Sequence, residues 1–156
     1  MLIHAAATIF AALHAQDATS TKDILDFWLG KWVVRSGGEV DGHDRVEKLL
    51  GGNVIMEDWK DTGGNEGKSF FYFMPSTQKW KQVWVTPTGP YKEKVSEPYP
   101  NGIRFVGHVF LADGRSLPDR TTLTKMDGHR VHQVIEYSKD EGKTWTISYD
   151  AIYSRK

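Results

Sequence analysis

The sequence predicts an all-β protein: a single antiparallel up-and-down β-barrel of about ten strands, preceded by a short helical turn. From residue 31 onward, short runs rich in β-branched and aromatic residues alternate with turn signals. No long segment of this region has the 3.6-residue apolar period of an amphipathic helix. The chain also contains 15 Gly, 6 Trp, 6 Tyr and 7 Phe, a composition that suits tight turns and strands.

Turn signals divide this region into strands. Examples are Gly51-Gly52-Asn53 and Asp113-Gly114, whose residue types tolerate the positive φ of tight hairpins. The predicted strands span residues 31–36, 43–50, 54–61, 67–74, 79–86, 91–97, 103–112, 115–126, 129–138 and 144–154. Short strands at regular spacing, with no helix between them, favour a closed barrel, which has no exposed sheet edge.

The length of 156 residues corresponds to one domain. Residues 1–15 contain no acidic residue, Lys or Arg and are mostly apolar, which is typical of a secretory signal and too short for a membrane span. We therefore predict a signal peptide over 1–15, a linker over 16–23 and the barrel over 24–156, in a secreted or periplasmic protein. The alternative is an N-terminal helix that packs on the domain, with the protein in the cytoplasm.

Composition argues against several classes of partner. The 20 basic and 20 acidic residues cancel, so no long-range field attracts nucleic acid. There is no Cys, which excludes disulfides and thiolate metal sites. His129 and His132 lie three apart on a predicted strand and point to opposite faces, so we predict no metal site. The sequence leaves the oligomeric state open.

Alternation along the strands assigns one face of each to the barrel interior. A ten-stranded barrel is wide enough to hold a small ligand. The interior faces combine aromatic side chains with a few polar ones, which is the usual composition of a ligand pocket. The candidate ligand-binding residues are Glu57, Trp59, Phe71, Gln82, Trp84, Phe105, Arg120, Gln133 and Tyr149.

Glu57 is the most notable of these candidates, because a carboxylate among aromatic residues is costly to bury without a partner. In one interpretation it pairs with Arg45, Arg104 or Arg120 in a network that fixes strand register. In the other it orients a ligand or acts as an acid or base. The lysines at 79, 81, 92 and 94 also alternate with aromatic residues, but acidic residues interleave, and we expect them on a solvated strand face.

The opening segment, residues 27–32 (FWLGKW), resembles the start of lipocalins and related calycins. In that family a helical turn leads into Gly-x-Trp, here Gly30 and Trp32, and the Trp plugs the closed end of the barrel. A basic residue after the last strand packs across it, a role that the resemblance gives to Arg155. Residues 52–59, 79–84 and 138–145 extend the resemblance to an uncharacterised bacterial family of lipocalin-like barrels. That family implies a fold and no catalytic residue.

Haem-binding barrels of the nitrobindin type have a similar opening and a histidine ligand near the C-terminus. This sequence has Tyr149, Tyr153 and Arg155 there, so we predict no haem or other cofactor. The segment 138–145 (SKDEGKTW) also resembles the Asp-box of sialidases, a hairpin turn that recurs once per propeller blade. It occurs once here, so we assign its residues a structural role: Ser138, Asp140, Gly142, Thr144 and Trp145.

Three functions remain open at this stage. The first is an exported lipocalin-like barrel that binds a small apolar or aromatic molecule. The second is a small barrel enzyme, an isomerase or cyclase using Glu57 for acid–base chemistry, which requires that Glu57 face a void and not an arginine. The third is a structural or interaction module whose lumen is filled by its own side chains, which requires that there be no cavity. We favour a binding protein over an enzyme.

Overall fold

A computed structural model describes residues 21–156, and the predicted signal peptide and residues 16–20 of the predicted linker lie outside this range. A 3₁₀ turn at Asp26–Trp28 precedes ten strands in the described chain. The strands are β1 (Gly30–Ser36), β2 (Glu39–Leu49), β3 (Val54–Asp61), β4 (Glu66–Met74), β5 (Lys79–Val85), β6 (Tyr91–Tyr99), β7 (Gly102–Phe110), β8 (Ser116–Met126), β9 (Arg130–Tyr137) and β10 (Thr146–Arg155). A second 3₁₀ turn, Leu50–Gly52, connects β2 to β3.

Every strand pairs antiparallel with its neighbour in sequence, and β10 pairs with β1 to close the barrel. The predicted all-β, ten-stranded, up-and-down barrel is therefore confirmed. Closure places Trp32 of β1 directly opposite Arg155 of β10. Within residues 21–156, no helix is long and apolar enough to cross a bilayer.

The core fills one end of the barrel. Trp28, from the turn that precedes β1, is fully buried and meets Phe71 edge-on with ring centroids 5.4 Å apart. Phe71 in turn packs against Phe105 at 5.1 Å, and Trp32 packs against Tyr153 at 6.2 Å. These T-shaped contacts suit the quadrupoles of aromatic rings. We call this end, where β1 begins, the closed end.

The closed end is also fastened by polar contacts. The Trp32 Nε1–H donates to the Trp28 carbonyl at 2.9 Å, which fixes the turn against the first strand. The Arg155 guanidinium lies 4.2 Å from the Trp32 ring centroid, and its Nη1 donates to the Leu29 carbonyl at 2.5 Å. A Cβ atom at position 30 would lie 1.8 Å from Arg155 Nη1, so the absence of a side chain at Gly30 leaves room for the guanidinium.

Candidate functional site: a polar cavity in the open half of the barrel

A cavity of about 410 Å³ occupies the half of the barrel opposite the aromatic plug. Its outermost residues lie where β2, β6 and β10 begin and where β3 and β5 end, which places its mouth at the end away from Trp28. The lining combines aromatic, amide and ionisable side chains: Asp41, Glu57, Trp59, Asp61, Gln82, Trp84, Lys92, Thr121, Gln133, Ile135, Ser148, Tyr149 and Tyr153.

Three large aromatic side chains form the walls. Trp59 and Tyr149 meet edge-to-face with centroids 6.4 Å apart. Trp84 lies on another strand, with Lys92 Nζ 5.4 Å from its ring centroid. All three are half-buried, so part of each ring faces the cavity. Such walls can sandwich or edge-contact a flat ligand.

A chain of hydrogen bonds crosses the floor. Gln82 Nε2 donates to Ser69 Oγ at 3.3 Å, and Ser69 Oγ donates to Glu57 Oε2 in a short hydrogen bond. Burial raises the pKa of Glu57, opposed by the Ser69 hydrogen bond and by the charge of Lys94. Gln82 Oε1 is buried and accepts no hydrogen bond from any described residue. The floor therefore contains a carboxyl group and an amide oxygen without a donor.

Asp44 lies behind Glu57 on the neighbouring strand, where Val46 is directly opposite Glu57. It is 4% exposed, and its carboxyl group shares a hydrogen bond with that of Glu57. Burial, and next the charge of Glu57, raise the pKa of Asp44 well above its usual value. Two buried carboxyl groups side by side avoid repulsion when they share a proton, and the larger rise in pKa is that of Asp44.

Two lysines approach the cavity from β6. Lys92 Nζ lies at the cavity and pairs with Asp119 Oδ2 at 3.0 Å. Lys94 is fully buried, forms an ion pair with the other oxygen of the same carboxylate, and donates to Thr121 Oγ1 at 2.5 Å. Burial lowers the pKa of Lys94 to about 8. Asp119 is thus shared by two ammonium groups.

Further hydrogen bonds tie the floor and the rim together. Tyr153 donates through its hydroxyl to Gln133 Oε1 at 2.9 Å. At the rim, the Tyr149 hydroxyl donates to Asp41 Oδ2 at 2.5 Å. Asp61 accepts from the Asn65 backbone N–H at 2.8 Å and from its Nδ2 at 2.7 Å. Both rim carboxylates accept hydrogen bonds from neutral donors, and within residues 21–156 neither forms an ion pair.

The structure brings together most of the predicted ligand-binding residues and excludes the others. Phe71 and Phe105 belong to the plug and do not line the cavity. Five residues in or directly behind the lining are not among the predicted ones: Asp44, Ser69, Lys92, Lys94 and Asp119. The predicted residues that line the cavity are Glu57, Trp59, Gln82, Trp84, Gln133 and Tyr149.

The interior assignment of Arg120 is wrong. Its guanidinium donates twice to Glu136, at 2.6 and 2.8 Å, and lies 4.1 Å from the Trp145 ring centroid. The buried positions of that stretch are its neighbours Asp119 and Thr121. Because β8 mixes polar residues on both faces, alternation alone could not fix which face points inward.

The proposed arginine partners of Glu57 are wrong as well. Arg45 pairs with Asp58 at 3.3 Å, and Arg104 lies 4.2 Å from the Tyr99 ring centroid. The expectation of a solvated lysine face also fails for Lys94, whose side chain is 0% exposed, and for Lys92, at 13%. Lysine side chains are usually exposed, so the sequence predicts an outward orientation for both residues. They point inward because they pair with Asp119, which lies 25 residues or more away in sequence.

Alternation along the predicted strand 144–154 also places Trp145 and Ile147 on the same interior face as Tyr149, and a β-bulge in β10 overturns both positions. The register against β9 shifts between Ile147, opposite Glu136, and Tyr149, opposite Ile135. Ile147 is consequently 57% exposed and Trp145 lies outside under Arg120, whereas Tyr149 reaches the cavity. An extra residue in one strand exchanges the inward- and outward-facing positions of the residues on one side of the bulge, here those before Tyr149.

The hairpin before β10 has the geometry expected from its sequence. Asp140 accepts hydrogen bonds from the Thr144 backbone N–H at 2.8 Å and hydroxyl at 2.7 Å. Ser138 Oγ accepts from the Gly142 N–H at 2.8 Å and donates to Asp140 at 2.8 Å. These contacts lower the pKa of Asp140 to about 2, and they give these residues a structural role.

Residues 21–156 contain no group of three or more His, Asp or Glu arranged to hold a metal ion. Comparison of the chain with protein-family models and with curated protein sequences finds no match. The resemblance to lipocalin-like barrels accordingly stays a prediction, and the geometry of the cavity is the basis for any functional proposal.

Proposed function

We propose that the protein binds a small molecule with a flat aromatic part inside the open half of its barrel. The observation that carries the proposal is the division of the lumen: one half is filled by aromatic side chains and the other is a cavity of about 410 Å³ with a mouth. That volume is within the usual range for small-molecule pockets. Indole and phenol rings on its walls favour an aromatic ligand over an aliphatic chain.

Native mass spectrometry of the full chain, purified gently from its own host, tests this proposal. We expect a mass excess over the denatured protein that disappears on unfolding. A matched pair of variants locates the molecule. Ile135→Trp fills the cavity and should abolish the excess, whereas Ile147→Trp adds the same group to a 57% exposed outer position and should keep it. A bare mass in the parent protein would contradict the proposal.

A second candidate function is acid–base catalysis by Glu57. It is supported by one observation: Glu57 borders the cavity and accepts a hydrogen bond from Ser69, and the described residues that line the cavity include no arginine. A carboxyl group with a raised pKa suits proton transfer. The test uses the recovered ligand: an enzyme would convert it to an isomeric product, and Glu57→Gln would bind it without conversion. Recovery of unchanged ligand from both proteins favours binding alone.

We further propose export of this binding protein, as residues 1–15 predict. Amino-terminal sequencing of the host protein tests the location of processing. A mature chain beginning at Gln16 supports export, and a chain that retains Met1 contradicts it. This test is independent of the ligand, because the cavity-lining residues all lie between positions 41 and 153.

A further inference from the structure

The floor of the cavity contains a buried hydrogen-bond acceptor that no described residue satisfies. In the chain Gln82–Ser69–Glu57, the single hydroxyl proton of Ser69 is donated to Glu57, and the Gln82 amide nitrogen donates to Ser69. Gln82 is only 5% exposed, yet its Oε1 accepts nothing from the described residues. A buried acceptor without a donor carries a desolvation cost, which a ligand donor would remove.

Charge leads to the same conclusion. The ionisable groups on or directly behind the lining comprise two lysines, Lys92 and Lys94, and five carboxyl groups: Asp41, Asp44, Glu57, Asp61 and Asp119. Even with Asp44 protonated, four carboxylates face two ammonium groups. Asp119 binds both lysines but cancels only one of their two charges, so two negative charges remain unmatched among Glu57 and the rim carboxylates Asp41 and Asp61.

The aromatic walls complement a positive charge as well. The faces of indole and phenol rings are negative, and they attract organic cations when water is excluded. Trp84 already has Lys92 5.4 Å from its centroid, but Trp59 and Tyr149 meet edge-to-face, and no cation of the described residues lies over either ring. These two rings lie on the acidic side of the cavity, since Trp59 shares β3 with Glu57 and Asp61 and Tyr149 binds Asp41.

We infer that the ligand is a flat aromatic cation bearing at least two N–H donors, such as an amidine or an amino-substituted heterocycle, that binds Glu57 and the free Oε1 of Gln82. This inference rests on the proposed small-molecule binding and specifies its ligand class. A charged donor facing a carboxylate makes a shorter and stronger hydrogen bond than a neutral pair. An anionic ligand would instead add charge beside Glu57 and offer no donor to Gln82.

Three probes with one ring system separate these alternatives: 2-naphthamidine, 2-naphthamide and 2-naphthoate. The amidine presents only N–H donors, the amide presents N–H donors and a carbonyl acceptor, and the carboxylate presents only acceptors. Isothermal titration calorimetry on the full chain at neutral pH measures each affinity. We expect the amidine to bind at least about tenfold more tightly than the amide, and the carboxylate to bind weakest.

Variants assign the preference to named atoms. Glu57→Gln removes the charge, retains an oxygen for Ser69, and should bring the affinities for amidine and amide to within about twofold. Gln82→Met keeps the volume without the free acceptor and should weaken amidine binding. Glu93→Gln is the control: it makes the same Glu-to-Gln substitution at a side chain that is 44% exposed and paired with Lys81, and it should leave all three affinities unchanged. Thermal unfolding verifies that each variant is folded.

The outcomes are distinct. If the amide or the carboxylate binds as tightly as the amidine, the ligand-class inference fails while small-molecule binding stands. If none of the three probes binds, the inference also fails, and the mass excess of the host protein then decides separately whether the cavity has any ligand. If Glu57→Gln keeps the full preference for the amidine, the assignment to the Glu57 carboxylate is wrong.

Discussion

Lys94 and Asp119 form a buried ion pair across the strand that separates them. Lys94 lies on β6 and Asp119 on β8, and both are directly opposite the same residue of β7, Gly107. Because glycine has no side chain, nothing at that position blocks the ammonium group from the carboxylate. An alanine Cβ at Gly107 would lie 2.0 Å from the backbone oxygen of Glu93, so the two strands also approach too closely for a larger residue.

Gly107→Ala should therefore destabilise the fold by about 1–3 kcal/mol, because a backbone atom and not a flexible side chain must move. Urea unfolding followed by tryptophan fluorescence measures the change. Gly63→Ala is the control: its φ is also ordinary, but the nearest atom to the new Cβ is a side-chain oxygen of Asp61 at 3.3 Å. Equal stabilities for the two variants would contradict the close approach at β7.

Asp119→Asn should be strongly destabilising. The carboxylate is 3% exposed and is the common partner of Lys92 and Lys94, so its loss leaves two ammonium groups without their ion-pair partner. Removing one partner of a buried pair costs about 3–5 kcal/mol. The same substitution in an exposed pair, Asp113 with Arg115, should change the free energy of unfolding far less. If the two variants lose the same free energy of unfolding in urea, burial does not determine how much the Asp119 ion pairs contribute to stability.

How far the sequence determines this arrangement differs between backbone and site. Period-two alternation and glycine-rich turns predict ten strands, and nine of the ten predicted starts lie within two residues of the observed ones. The exception is β2, which begins four residues earlier, at Glu39. The orientation of a mixed strand is a different matter. For Arg120 both faces of β8 are polar, and for Ile147 a bulge reverses parity, so local pattern carries no information on which face is buried.

Local sequence pattern does not indicate the ion-pair cluster, for a related reason. Lysine is seldom buried, and only tertiary contacts make Lys94 an exception. Its partner Asp119 is two strands away in the sheet and 25 residues away in sequence. By contrast, the sequence alone identifies Glu57 as a buried charge, because Ile55 and Trp59 on the same face of β3 are apolar. A buried charge can be predicted from an apolar surround, whereas its partner requires the strand register.

Arg155→Met should open the junction between the first and last strands. It removes the guanidinium 4.2 Å from the Trp32 centroid and the hydrogen bond to the Leu29 carbonyl, while keeping much of the aliphatic stem. We expect a loss of about 1–2 kcal/mol in the free energy of unfolding. Arg130→Met, at a residue bonded to the Asp127 carbonyl at 3.1 Å, is the control and should cost less. Hydrogen exchange of the β1 amides should accelerate in Arg155→Met alone.

Asp44 predicts a particular dependence of stability on pH. Its pKa in the folded protein is raised well above the ordinary 3.8, so the folded state keeps a proton that the unfolded chain has already lost. The free energy of unfolding therefore falls as pH rises from about 4 toward the folded pKa, since the folded state binds more protons in that interval. Asp44→Asn, which cannot ionise, should reduce this fall. Denaturant unfolding at a series of pH values measures it.

Asp58 is the matched control for this prediction, because it lies beside Glu57 on β3 but faces outward. Its hydrogen bond to Lys68 lowers its pKa, so its contribution is present above the ordinary pKa and is lost as pH falls below about 4. Asp58→Asn should consequently alter stability in the acid range and leave the decline above pH 4 intact. If Asp44→Asn also leaves that decline intact, the buried carboxyl pair does not hold the proton assigned to it.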